Sequence, residues 1–253
     1  MPEQGVAVIG RPRRQAQEGD DVVFRDRADA GRRLAARLGH LHGSCVVVAL
    51  PRGGVPVAAE VAAALEVPLD VVVVRKLGVP FQPELGLGAI GERGVRVLND
   101  DVVRHAHTSD AEIAAIEARE RIELDRRVLR YRGPRAAVEV EGRTVVVVDD
   151  GIATGSTARA ACQVVRSLGA TRVVLAVPVA PAGWATTLAD VADELVCVSS
   201  PRWFNAVGSW YRDFAQTSDD EVVALLDATA RRSARTDPPP SPPSPPSSTS
   251  PPS

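Results

Sequence analysis

The chain has 253 residues, of which 45% are hydrophobic and 25% are charged, and its formal net charge is −2. This composition is typical of a globular protein, and the near-neutral charge offers no general attraction for nucleic acid or for an anionic membrane. No run of about 18 apolar residues occurs, and the first twenty residues contain no apolar core of a signal peptide, so we expect no membrane span, no export and a cytoplasmic location.

Both ends of the chain lack the pattern of a folded domain. Residues 1–22 show no sustained apolar period, and residues 236–253 are almost entirely Pro, Ser and Thr. Such segments bury too little apolar surface to fold. We therefore predict one ordered domain over residues 23–235, with a disordered segment on each side.

Within this domain, short runs of β-branched residues alternate with helix-periodic segments. Because strands that helices cover on both faces read as continuous apolar runs, the alternation predicts a doubly wound α/β fold with a mainly parallel sheet. The predicted strands cover residues 46–50, 71–74, 145–148, 173–177 and 195–198, and the predicted helices cover residues 28–41, 55–65, 156–168, 183–188 and 219–231.

The first two predicted strands end in residues suited to phosphate binding. Pro51-Arg52-Gly53-Gly54 follows the first strand, and its glycines allow a close approach of the backbone while Arg52 offers a forked donor. A plain tight turn is the alternative. Arg75 and Lys76 follow the second strand, and Lys76 is the only lysine among the 30 basic residues. Chance could explain that lysine, but a need for a compact ammonium could too.

An insertion at about residues 77–135 interrupts the alternation. Residues 77–88, rich in Gly, predict a loop, and residues 89–98 predict an antiparallel hairpin that turns at Glu92-Arg93-Gly94. Residues 109–131 predict a long amphipathic helix, opened by Ser109 with Glu112 three residues later. Several arginines cluster near its end: Arg126, Arg127, Arg130, Arg132 and Arg135. They indicate either a solvated face or a surface that reaches a phosphorylated ligand or a second subunit.

The most informative stretch, residues 145–157, reads VVVVDDGIATGST. Four valines predict a buried strand, and Asp149 and Asp150 must emerge together at its carboxyl end, since paired carboxylates are costly to bury inside a sheet. The small residues that follow lead into a helix whose free N–H groups can cradle a phosphate. The stretch is neither a Walker P-loop nor a dinucleotide fingerprint. A helix cap beside an incidental acidic pair is the alternative.

This stretch resembles the signature of type I phosphoribosyltransferases that binds phosphoribosyl pyrophosphate (PRPP). The resemblance implies that Asp149 and Asp150 hold the ribose hydroxyls, directly or through Mg²⁺, and that the loop after them holds the 5′-phosphate. It also implies a catalytic set of Asp149, Asp150, Arg52 and Lys76. The full implied PRPP-binding set is Arg52, Gly53, Gly54, Arg75, Lys76, Asp149, Asp150, Gly151, Ala153, Thr154, Gly155, Ser156 and Thr157. In the adenine and orotate members a similar Arg-Lys pair leads into a mobile catalytic loop, which here would be residues 77–88 without the further basic residues.

The segment after the last predicted strand, about residues 199–218, concentrates the aromatic side chains of the chain. It loosely resembles the hood of the purine-salvage members, with a different spacing. Trp203 and Phe204 are candidates for stacking on a planar acceptor, and Asp213 is a candidate for binding a ring N–H. Ordinary packing of a small C-terminal hood is the alternative.

The resemblance implies a Mg²⁺-dependent transfer of ribose 5-phosphate from PRPP to a nitrogenous base or related small acceptor, with release of pyrophosphate, by a homodimer. Such a reaction needs no protein nucleophile, and no compelling Ser-His-Asp or Cys-His arrangement is present. Cys45, Cys162 and Cys197 are predicted to be buried, reduced thiols. The alternative function is a PRPP-binding regulator with little or no transferase activity, although neither a helix-turn-helix nor a basic RNA surface is evident.

Overall fold

A computed structural model describes residues 23–79 and 82–236. The predicted disordered segments, 1–22 and nearly all of 236–253, lie outside the described residues. The exception is Thr236, which ends a helix rather than belonging to a tail. The elements in chain order are α1 (Arg27–Ala35), β1 (Cys45–Ala49), α2 (Gly54–Leu65), β2 (Leu69–Val71), β3 (Val74–Val79), β4 (Gln82–Gly91), β5 (Arg96–Leu98), α3 (Asp100–His105), α4 (Asp110–Arg132), β6 (Thr144–Val148), α5 (Ser156–Ser167), β7 (Arg172–Val179), α6 (Trp184–Leu188), β8 (Glu194–Ser199) and α7 (Asp219–Thr236).

The centre of the fold is a parallel sheet of five strands in the order β2-β1-β6-β7-β8. The predicted doubly wound, mainly parallel architecture is confirmed. After β1 the chain first adds β2 on one side of it and later adds β6 on the other side. The strand order therefore reverses between β1 and β6. In open α/β sheets ligands bind at this reversal, beyond the carboxyl ends of the strands.

Helices bury both faces of the sheet, which explains the unbroken valine runs. Val47 and Ala49 of β1 face a core that includes Leu34 of α1 and Leu65 of α2. The neighbouring Val46 and Val48 face the opposite core, built against α5. Because side chains alternate along a strand, both sets of positions must be apolar.

The insertion forms a separate antiparallel sheet, β3-β4-β5, against which α4 packs. The predicted hairpin is confirmed, with Ile90 opposite Arg96. The long helix is also confirmed, and Ser109 and Glu112 form a capping box at its start. Arg132 at its end pairs with Asp70 and Glu92, and all three side chains are nearly buried. This cluster ties the insertion to the edge of the central sheet.

Two expectations about the insertion were wrong, and one helix was not predicted. Predicted strand 71–74 is divided, because β2 ends at Val71 and β3 begins at Val74 in the other sheet. The predicted loop 77–88 is mostly strand, since Leu77, Val79 and Leu87 alternate into the core of a hairpin. The short helix α3, capped by Asn99, was not predicted.

The N-terminal part of the domain joins the C-terminal hood. Phe24 forms a parallel bridge with Tyr211, and its N–H donates to the carbonyl of Trp210 (2.8 Å).

The three cysteines are unpaired, as predicted, and burial raises the pKa of Cys45 to about 11 and of Cys162 to about 12. Cys197, however, is only half-buried. Among the described residues, no helix has the length and apolar character needed to cross a membrane.

Candidate functional site

The glycine loop after β1 lies directly on the acidic pair after β6. A Cβ atom built on Gly53 would lie 2.0 Å from Oδ2 of Asp150, and one on Gly54 would lie 2.9 Å from Cα of Asp149. Any side chain at these two positions would collide with the acids. The structure therefore brings two of the predicted segments together at the reversal of strand order. The Pro51-Arg52 peptide bond in this loop is cis.

The two carboxylates share a poorly solvated position. Burial raises the pKa of Asp149 well above its usual range, and the negative charge of Asp150 raises it further. Burial also raises the pKa of Asp150, against the opposing charge of Arg27. Unsatisfied buried charges are expensive, so this pair is arranged to meet a positive or hydrogen-bonding ligand.

Arg27 of α1 is the direct partner of Asp150. Its Nη2 and Nε lie 2.8 and 2.9 Å from Oδ2 of Asp150, its Nη1 donates to the carbonyl of Ala215 (2.7 Å), and its guanidinium carbon lies 3.9 Å from the Phe214 ring centre. Tyr211 supports the same aspartate by donating its hydroxyl to the Asp150 carbonyl (2.5 Å). The sequence did not predict Arg27 or Tyr211 as site residues. Each lies far along the chain from Asp150, and no local pattern marks either residue.

The predicted phosphate loop leads into α5 without a side-chain cap. Gly155, the N-cap residue, has φ of +78°, which favours glycine, and it makes no side-chain hydrogen bond to the helix. The hydroxyls of Thr154 and Ser156 lie 3.2 Å apart on the exposed side. The remaining predicted loop residues, Ala153 and Thr157, are also exposed, while Gly151 is buried beneath Val207. The helix end thus presents free N–H groups and hydroxyls, as anion sites do.

The predicted basic residues gather around these loops, with different partners. Lys76 Nζ lies 3.1 Å from the Ser156 hydroxyl, which links β3 to the phosphate loop. Arg75 is held by Glu120 of α4, through Nε (2.9 Å) and Nη2 (2.5 Å). Arg52 Nη1 lies 3.8 Å from Asp219 at the start of α7.

Two cavities adjoin the phosphate loop. One of about 190 Å³ touches Pro51, Arg75, Lys76 and Thr157. The other, of about 550 Å³, lies between the inserted sheet and α5 and is lined in part by Lys76 and Ser156. Lys76 therefore lines both cavities.

The acceptor candidates in the hood are not brought together with these cavities. Trp203 is 91% exposed, and Phe204 stacks on Trp210 at a centroid distance of 6.4 Å. Asp213 is exposed and accepts a hydrogen bond from the Ala215 N–H (3.0 Å). None of the three lines either cavity. The hood instead packs against the acidic pair through Tyr211.

The acidic pair alone is an incomplete metal site. Within residues 23–79 and 82–236, no group of three His, Cys, Asp or Glu side chains could hold an ion. Asp149 and Asp150 supply two carboxylates, and further ligands would have to come from substrate and water. Magnesium sites commonly have this composition, with one or two carboxylates and substrate phosphates.

Comparison with known proteins agrees with this geometry. Residues 25–214 match the family model described as the phosphoribosyl transferase domain. Two Mycobacterium tuberculosis proteins, from strains CDC 1551 and H37Rv and provisionally named phosphoribosyl transferases, are 61% identical over 210 residues, which is 83% of this chain and 47% of each relative. The chain thus spans about half the length of these curated relatives. The crystal structure of TT1426 from Thermus thermophilus is similar, with a TM-score of 0.76, 45% identity, and coverage of 82% of this chain and 99% of that one.

Proposed function

The chain belongs to the phosphoribosyl transferase family, and from this premise we propose that it transfers ribose 5-phosphate from PRPP to a nitrogenous base or a related small acceptor. Pyrophosphate is the leaving group. One observation carries the proposal: Gly53 and Gly54 lie against Asp150 and Asp149 so closely that no side chain fits between them. A pyrophosphate loop and a ribose site must adjoin in this way, because the bond that breaks joins the two groups.

Each part of the site has a role in this proposal. Asp149 and Asp150 accept hydrogen bonds from the ribose hydroxyls, and residues 153–157 bind the 5′-phosphate at the start of α5. Arg52, Arg75 and Lys76 bind the pyrophosphate together with the N–H groups of the glycine loop. The contact of Lys76 with Ser156 supports a lysine that serves both phosphate ends of the donor.

The proposed chemistry needs positioning and charge more than it needs a nucleophile. The bond between the anomeric carbon and the pyrophosphate oxygen breaks, its electron pair leaves with pyrophosphate, and an acceptor nitrogen bonds to the carbon. Negative charge on Asp149 and Asp150 favours the positive character of the ribose ring, while the basic residues bind the departing group. The proton lost by the acceptor passes to solvent or to the leaving group.

We propose Mg²⁺ as the cofactor, held by Asp149 and Asp150 together with oxygen atoms of PRPP. The pair fits such an ion because the two carboxylates are adjacent and half-buried, and the one arginine that contacts them, Arg27, bonds to Asp150. The ion would supply charge neutralisation at the pyrophosphate. Arg27 favours the ionised form of Asp150, against the effect of burial, and orients it for this ligand.

The acceptor proposal rests on the hood. Trp203 is the better stacking candidate, because it is exposed whereas one face of Phe204 is already covered by Trp210. Asp213 would accept a hydrogen bond from a ring N–H.

We also propose a cytoplasmic location, since unpaired cysteines are typical of a reducing compartment.

We further propose that the protein is a homodimer that pairs through α4. Ile122 and Leu129 are 74% and 71% exposed on this helix, and the exposed Ala115 and Ala118 continue the same stripe. Spacings of three, four and seven residues place all four side chains on one face of the helix. Large exposed aliphatic residues in such a row are typical of a protein interface.

The function is tested by incubating the protein with PRPP, MgCl₂ and a panel of purine, pyrimidine and related bases while measuring pyrophosphate release. Release with one base class is the expected result, and it should disappear in the Asp149→Asn plus Asp150→Asn variant. Tight PRPP binding without release across the panel would favour the regulatory alternative. PRPP binding that is unchanged in the double variant would contradict the proposed donor site.

A further inference from the structure

The side chains that line the cavity of about 190 Å³ beside the glycine loop carry only positive charge. Three basic side chains line it, Arg75, Lys76 and Arg127, and none of the described residues in its lining is acidic. Pro51 and Thr157 place it between the glycine loop and the phosphate loop. One of its three cations, Arg127, comes from the arginine cluster near the end of the inserted helix α4, for which the sequence left open a role in reaching a phosphorylated ligand.

Arg127 shares its carboxylate partner with a second arginine. Glu123 accepts a hydrogen bond from Arg127 Nε (2.7 Å) and also two from Arg126, at 2.7 and 3.0 Å. These bonds lower the pKa of Glu123 to about 2. One carboxylate thus serves two guanidinium groups. Among the side chains that the structure describes, Arg127 has no other hydrogen-bond partner, so its terminal nitrogens can bind a ligand.

Arg127 is bound less fully by carboxylates than Arg75 is. Its Nε donates to Glu123 (2.7 Å). By contrast, Arg75 has two of its nitrogens on Glu120. Of the two arginines that line the cavity, Arg127 has the larger free hydrogen-bonding capacity.

We propose that Arg127 binds the pyrophosphate group of PRPP, an inference that rests on the proposed function. The cavity is smaller than the roughly 300–1,000 Å³ typical of pockets for drug-sized ligands, which suits a compact diphosphate better than a whole nucleotide. A guanidinium fork matches phosphate oxygens. The insertion then supplies a wall of the donor site as well as packing against the sheet.

The test compares three ligands by isothermal titration calorimetry in MgCl₂: PRPP, inorganic pyrophosphate and ribose 5-phosphate. Arg127→Met should weaken binding of PRPP and of pyrophosphate by about ten- to a hundredfold, as expected for a lost charged hydrogen bond. Affinity for ribose 5-phosphate, which lacks the diphosphate, should not change. Arg127→Lys should recover part of the loss, because the charge remains.

Arg126→Met is the matched control, since Arg126 shares Glu123 but does not line the cavity. It should bind all three ligands as the unchanged protein does. Equal affinity of Arg127→Met and the unchanged protein for pyrophosphate would overturn the inference while leaving the proposed function intact. An equal loss for ribose 5-phosphate would overturn it too, by showing an effect on the fold. If the unchanged protein fails to bind PRPP, the proposed function fails and this inference fails with it.

Discussion

At the scale of single residues, the acidic pair shows a conflict between stability and binding. Asp149 and Asp150 lie side by side in a half-buried position with one arginine between them and the hood. In the free protein, burial and then the charge of Asp150 raise the pKa of Asp149, so ionising this carboxyl opposes folding. A bound cation or a set of ribose hydroxyls would relieve this effect, so the same charge that weakens the fold would strengthen ligand binding.

Asp149→Asn should therefore raise the stability of the ligand-free protein. Because the pKa of Asp149 is raised in the folded state, the stability linked to it is present below the unfolded pKa of about 3.9 and is lost as pH rises through the folded pKa. Asparagine does not titrate. The melting temperature of the variant should exceed that of the unchanged protein by a margin that grows above about pH 4, with about 2–4 °C for each kcal/mol.

Differential scanning calorimetry across pH measures this margin. Asp190→Asn is the control with opposite sign, because hydrogen bonding from Arg159 lowers the pKa of Asp190. That variant should become less stable than the unchanged protein as pH rises. A melting temperature of Asp149→Asn that falls below the unchanged value at neutral pH would contradict the destabilising role of the buried charge.

At the scale of elements, local pattern predicted well wherever local chemistry decides the structure. The valine runs and the Ser109 capping box determine their elements without help from distant residues. The hairpin of β3 and β4 was missed because Gly78, Gly86 and Gly88 hide an apolar alternation that only its packing reveals. Arg27 could not be predicted either, because its pairing with Asp150 depends on how α1 packs in the complete fold.

The glycine loop offers a sharp test of this packing. Gly53 has φ of −61°, which alanine adopts easily, yet an alanine Cβ would lie 2.0 Å from Oδ2 of Asp150. Gly53→Ala should cost about 1–3 kcal/mol of stability through overpacking and should abolish PRPP binding, because the acid or the loop must move. Chemical denaturation and titration calorimetry measure the two effects.

Gly39→Ala is the matched control, because no atom lies within 4 Å of a Cβ built there and its φ is not in the left-handed region. Its stability should change by no more than about 0.5 kcal/mol, with unchanged PRPP binding. If Gly53→Ala binds PRPP as well as the control does, the loop is not held against the acids in the way described.

At the scale of the whole molecule, the site is assembled from distant parts of the chain. The glycine loop and the acids come from the central sheet, Arg27 from the first helix, Tyr211 from the hood, and Arg127 from the insertion. Arg212 and Asp213 of the hood donate backbone hydrogen bonds to Phe24 and Arg25, at 2.8 and 2.9 Å. Loosening either end of the domain would thus disturb the acidic pair.

Helix α4 of the insertion has two faces with different proposed roles. The face with the exposed aliphatic residues predicts how two copies of the chain pair. Arg127 lines the cavity on one side of α4, while Ile122 and Leu129 are exposed on another. Two such stripes can pack together with few buried charges, but they bury little area beside the 1,200 Å² or so of a standard interface. We therefore expect a dimer whose population falls with dilution. Light scattering after size exclusion, at several concentrations, measures it.

Ile122→Lys combined with Leu129→Lys should convert this dimer to a monomer, because four like charges would face each other across the stripe. The melting temperature and the PRPP affinity of the monomer should remain close to those of the unchanged protein, since neither side chain packs in the core or lines the cavities. Trp203→Ser removes an exposed apolar residue elsewhere and should leave the dimer intact. A monomer at all concentrations before substitution, or a dimer that survives both lysines, would show that the stripe does not join two copies of the chain.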